Sequence, residues 1–90
     1  MPNIVLYGCT EEVANDITLM IQSAFDGKPY EKDYVITVVQ SDVRDCNDTP
    51  QPFIRLATTD QPHNAEIIQF LRGFHLDLEV LRLEAFFEKE

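Results

Sequence analysis

Basic residues are scarce in this chain: seven Lys and Arg stand against sixteen Asp and Glu, for a formal charge of −9. The seven are scattered rather than clustered, so the basic surface that phosphate recognition needs is lacking and nucleic acid is excluded as a partner. Acidity of this size serves solubility. No apolar run approaches the roughly 20 residues of a membrane span, and no basic-then-apolar leader opens the chain. Those absences predict a cytoplasmic protein without a membrane partner. Cysteine is limited to Cys9 and Cys46, isolated from each other and from His63 and His75. With no C-x-x-C and no metal-ligand spacing, the expectation is two reduced thiols, no metal and no cofactor.

What is present is a repeat. Pro2-Asn3-Ile4-Val5-Leu6 opens the chain, and Pro52-Phe53-Ile54-Arg55-Leu56 returns fifty positions later. Each copy leads from an apolar strand-like run through a polar turn and an amphipathic stretch to a second apolar run. Ninety residues at 44% apolar content with this periodicity predict one folded domain over 1–90. It is built from two βαβ units, about 2–42 and 52–90. Its core is thin enough that self-association would help it.

In the first unit, Ile4 to Tyr7 reads as a strand ended by Gly8. Thr10 is placed to cap a helix, with Glu11 and Glu12 at its positive end. Val13, Ile17, Met20, Ile21 and Ala24 recur near 3.6 residues and predict its buried stripe. Asp26-Gly27-Lys28-Pro29 stops the helix. Tyr34 to Val39 is a β-branched run of the kind found in a strand covered on both faces or lying in a sheet centre. Ser41 to Gln51 is polar, and predicts a long loop or hairpin that is a candidate functional edge.

The second unit mirrors this order. Phe53 to Ala57 predicts a strand with Ile54 and Leu56 on one face and Arg55 on the other. Asp60 or Asn64 is placed to cap a helix whose apolar stripe is Ile67, Phe70, Leu71 and Phe74, with Gly73 near its end. Val80 to Phe87 predicts the last strand. The fold class is therefore α+β, a pseudo-symmetric β-α-β-β-α-β with a four-stranded sheet and two helices on one face. Both a ferredoxin-like sandwich and a tautomerase-like fold have that order; periodicity does not separate them.

Gly27-Lys28-Pro29, the run Tyr34-Val35-Ile36-Thr37-Val38-Val39 with Asp42, the proline-led strand at Pro52 and the pair Phe86-Phe87 together resemble the macrophage migration inhibitory factor family of the tautomerase superfamily. The layout is also similar to that of its short bacterial members. The resemblance implies a homo-oligomer, a trimer, and keto–enol isomerisation of a small carboxylate-bearing substrate. Pro2 would be the general base, an α-amino group whose pKa of about 8 is lowered by an apolar pocket and a nearby cation. Lys28 would hold the substrate carboxylate or a developing enolate, and Arg55 is a second substrate-binding candidate. The chemistry requires removal of Met1, because an acylated Pro2 has no basic lone pair; whether the chain is an enzyme turns on that step. The family's last-strand tyrosine and asparagine have no counterparts here. Its C-x-x-C is replaced by Phe53-Ile54-Arg55-Leu56, so thiol–disulfide activity is not expected.

Each candidate also has a plain structural role. Pro2 suits the start of an edge strand, and Lys28 suits a helix C-terminus through the dipole. Arg55 suits an ion pair with an acid on a neighbouring strand, such as Glu84. Tyr30 and Tyr34 suit strand-edge packing, His63 and His75 suit exposed positions, and Phe70, Phe74, Phe86 and Phe87 suit core or interface. Two other functions therefore stay open: a catalytically inactive tautomerase-fold scaffold or ligand binder, and a ferredoxin-like interaction module.

Overall fold

Alternating isoleucine and leucine build the two strands at the centre of this molecule. In the computed structural model, which describes residues 2–82, β1 (Asn3–Tyr7), α1 (Glu11–Phe25), β2 (Val35–Val39), β3 (Phe53–Thr58), α2 (Asn64–Arg72) and β4 (Asp77–Arg82) follow in chain order. This is the expected β-α-β-β-α-β. The strands form one sheet in the order β2-β1-β3-β4. Parallel pairs β1/β2 and β3/β4 meet at the antiparallel pair β1/β3. In a split β-α-β arrangement a further strand separates the two strands that a helix joins. Here they are direct neighbours in both units, so the ferredoxin-like order is not adopted.

Ile4, Leu6, Ile54 and Leu56 face the helices and are fully buried together with Ile21, Ile67 and Leu71. Each such side chain contributes roughly 1.5–3 kcal/mol by leaving water. α1 begins as expected, with the Thr10 hydroxyl accepting the Val13 N–H at 3.2 Å. Its buried face is Ala14, Ile17, Ile21 and Phe25, whereas Val13 and Met20 are 44% and 57% exposed. The predicted stripe is thus rotated by about one position. Phe25 causes the rotation: its ring packs edge-on against Tyr30 and Tyr34 and pulls the 14-17-21-25 row onto the sheet. The helix ends in a type II turn, with Asp26 at φ −62°, ψ 129°, Gly27 at φ +82° and the Lys28 N–H donating to the Phe25 carbonyl at 3.1 Å.

Two further expectations need correction. β2 is an edge strand, not a central one: among the described residues it pairs with β1 alone, and Val35 and Val38 are 41% and 37% exposed. The valine run reflects β-propensity rather than double coverage. Neither Asp60 nor Asn64 caps α2; the cap position is His63 and no side chain bonds there. Asn64 is instead the helix's first residue and is buried. Its Nδ2 donates to the Thr59 carbonyl at 2.8 Å, and its Oδ1 accepts the Thr58 hydroxyl at 3.1 Å. The connection from β2 to β3 carries a small hairpin, in which the Asp45 carboxylate accepts the N–H groups of Asn47 and Thr49. β4 begins at Asp77, earlier than expected, while Leu83, Glu84, Ala85, Phe86 and Phe87 lie outside the described residues.

Candidate functional site

Topology carries two of the three candidate residues to one end of the sheet. β1 starts just after Pro2, and α1 runs back so that Lys28, ahead of the parallel strand β2, lies at the same end of the sheet. The Pro2 carbonyl accepts the Val35 N–H at 2.9 Å, which ties Pro2 to the start of β2. β3 runs the opposite way, so Thr58 and the start of α2 reach the same end. Pro2 is fully buried.

At the ends of the two helices lies a cleft of about 230 Å³ lined by Ala24, Phe25, Lys28, Tyr30, Glu66 and Phe70; Pro2 is not part of its lining. Lys28 Nζ donates to Glu66 Oε2 at 3.0 Å, an exposed ion pair across the ends of the two helices. That hydrogen bond and the attached charge hold the lysine above its ordinary pKa and the glutamate below its own. Tyr30 is 4% exposed, its phenol against Glu66 and its ring 5.2 Å from His63. Burial, then the Glu66 charge, pushes its hydroxyl up. Tyr30 is therefore a core residue rather than strand-edge packing, and His63 is half-buried against it rather than exposed; His75 is exposed as expected.

Electrostatically the cleft is a lysine already answered by a carboxylate. A ligand carboxylate reaching Lys28 would have to displace Glu66 or stand beside it. Sequence reasoning missed Glu66 because its partner is 38 residues away and helix periodicity gives only its exposed face. An acid in the first turn of α2 was the one visible sign.

Arg55 is elsewhere. It projects from the middle of β3 onto the sheet face opposite the helices, in a row with Thr37, Val5 and Glu79. Its Nε donates to Glu79 Oε1 at 2.5 Å and its Nη1 to the Tyr7 hydroxyl at 3.2 Å. The guanidinium also lies over the Tyr7 ring at 5.2 Å, and Tyr7 stacks on Phe53 at 4.6 Å. The Glu79 hydrogen bond raises its pKa further. Arg55 is thus an ion-paired residue of the open face, with Glu79 as its acid. Glu84, the acid expected for it, lies outside the described residues, and Arg55 is not at the sheet end of Pro2 and Lys28. No group of His, Cys, Asp and Glu able to hold a metal occurs among the described residues, and none of their helices is long and apolar enough to cross a membrane.

Fold and site together define a small α+β protein of two joined βαβ units with a paired lysine at one sheet end. A solved structure of a domain of unknown function (DUF1904) from Sebaldella termitidis is similar, with a TM-score of 0.63 over 92% of this chain and 87% of that one. At 14% identity the likeness is one of fold. No family model and no curated protein matches the chain.

Proposed function

We propose that the chain is a tautomerase-like protein in which Pro2, once Met1 is removed, is the general base of a keto–enol isomerisation. What supports this reading is that Pro2 and the Gly27-Lys28-Pro29 turn lie at the same end of the sheet. A secondary amine there would take a proton from one atom of a small enol or keto substrate and return it to another. The reaction balances without cofactor or metal. An apolar setting keeps such an amine neutral near pH 7, where it is the more effective base.

The Lys28–Glu66 pair favours a second reading, a tautomerase-fold scaffold or ligand binder without catalysis. A substrate carboxylate would meet Glu66 as well as Lys28, which weakens anion capture at that point. Either version assembles with itself, as a cyclic trimer, through the open sheet face that carries Tyr7, Phe53, Val35 and Leu81. Intact mass of the purified native chain decides first, since retained Met1 overturns the catalytic reading. If Met1 is lost, phenylpyruvate enol–keto conversion is expected, with at least a hundredfold loss in Pro2→Ala, the usual scale of a general base. Equal activity in that variant removes Pro2 from the role, and no activity in either protein selects the non-catalytic reading.

A further inference from the structure

The two outer strands of the sheet are protected very differently. β4 carries Asp77, Glu79 and Arg82, charges of the sort that discourage edge pairing. β2 is Val-Ile-Thr-Val-Val, with no charge, proline, glycine or bulge. Its hydrogen-bonding direction follows from one contact. The Val35 N–H points to β1, so with a period of two Thr37 and Val39 do as well, while Ile36 and Val38 turn their N–H and C=O groups outward. Among the described residues nothing pairs with that edge.

Alongside it runs an open cleft of about 510 Å³ between β2 and α1. Tyr34, Ile36 and Val38 form its strand wall, and Asn15, Thr18 and Gln22 its helix wall. The residues with outward backbone groups are therefore the ones whose side chains border the cleft. A strand laid on Ile36 and Val38 would send alternate side chains into it. Backbone pairing plus a trough for every second side chain is the arrangement by which sheet edges recognise extended peptides.

We propose that β2 and α1 form a binding groove for an extended peptide segment of another protein, added as a fifth strand and carrying polar, basic side chains at alternate positions. The chemistry of the walls selects this occupant over a second copy of the chain. Self-pairing of β2 would lay isoleucine and valine against Asn15, Thr18 and Gln22. Charge points the same way. α1 carries Glu11, Glu12 and Asp16 and no base, and Glu31 and Asp33 precede β2; Lys32 is the cation in the cleft lining, and Asp42 beyond the strand is paired with Arg44 at 2.9 Å. Lysine or arginine side chains entering this field are favoured, and acidic ones are repelled. The groove is separate from the Pro2–Lys28 end, so its fate does not depend on catalysis.

The test uses the full chain and a short blocked peptide alternating lysine with threonine, with a glutamate–threonine peptide as the counterpart. Amide exchange followed by NMR should show new protection at Ile36 and Val38 with the lysine peptide only. Val38→Pro should abolish the effect while the protein stays folded, because the N–H it removes points away from β1 and proline is tolerated at such an edge position. Gln22→Lys, on the exposed face of α1, should weaken binding on the order of tenfold, and it carries the test should Val38→Pro not fold. Protection elsewhere, equal binding of the acidic peptide, or no binding overturns the proposal. So does protection of Ile36 and Val38 that grows with protein concentration and with mass by light scattering, which would assign the edge to a second copy.

Discussion

Two glycines with left-handed backbones separate the two costs a side chain can incur. Gly8 (φ +74°) closes β1, and a Cβ there would lie 3.2 Å from the Val43 side chain and 3.3 Å from the Pro52 Cα. Gly27 (φ +82°) has open space around the same atom. Gly27→Ala should cost only the conformational term, about 1–2 kcal/mol, whereas Gly8→Ala adds about 1–3 kcal/mol of overpacking. Urea denaturation of the two variants checks this, and equal losses would show that Val43 and Pro52 give way freely. Titration makes a second residue-scale test. The pKa of Tyr30 is raised by burial, so the folded state resists its ionisation and loses stability as pH climbs above about 10. Lys28 acts in the same direction, because its raised pKa gives stability that is present below its unfolded value and lost as pH rises through the folded one. Stability should therefore fall on the alkaline side, with Tyr30→Phe flattening the fall. On the acid side the lowered pKa of Glu66 gives stability lost as pH drops below its ordinary range, and Glu66→Gln should remove that portion. Urea midpoints measured across pH would contradict this assignment if the variants followed the parent curve.

At the scale of elements, the buried row of α1 decides which substitutions matter. Ile21→Ala should cost about 2–5 kcal/mol, while Met20→Ala, one position away, should stay within about 0.5 kcal/mol. Thermal or urea unfolding distinguishes this from the 13-17-20-21-24 stripe that apolar periodicity alone suggests, in which Met20 would be buried as well. That helix shows where legibility in the sequence ends. Its existence, its Thr10 cap and its stop at Gly27 are local chemistry and were readable residue by residue. Its rotation was not, since α1 is apolar at Val13, Leu19 and Met20 as well as at 17, 21 and 25, and only the distant rings of Tyr30 and Tyr34 choose between them. β2 failed for a related reason: a run of β-branched residues reports strand preference, whereas edge or centre is decided by pairing with β1 and β3. The candidate site divides the same way. That Pro2 and Lys28 share one end of the sheet follows from the order of two βαβ units, but Glu66 and Glu79, which pair with Lys28 and Arg55, are set by tertiary register that no local pattern contains.

For the whole molecule, the two faces of the sheet pose opposite problems. The helix side buries Ile4, Leu6, Ile54 and Leu56 completely. The other side is left as three rows: Val39-Tyr7-Phe53-Asp77, Thr37-Val5-Arg55-Glu79 and Val35-Asn3-Ala57-Leu81. The middle row screens Val5 to 6% exposure through its neighbours, but Val35 and Leu81 stay 41% and 46% exposed at the two margins. An open face of stacked aromatics rimmed by aliphatic residues gains by association, which is why the proposed assembly uses it. The formal charge of −9 opposes that gain, because like-charged copies repel over a Debye length of about 10 Å at 0.1 M salt. The two terms respond differently to salt: screening removes the repulsion and leaves apolar burial intact. Light scattering should therefore give a mass above the monomer that rises further with ionic strength. Leu81→Glu, which adds charge to the rim without touching the helix-side core, should return the mass to monomer at every salt concentration and leave the urea midpoint of the isolated fold nearly unchanged. A parent chain that stays monomeric from low to high salt would remove self-association from this face, and with it the trimer.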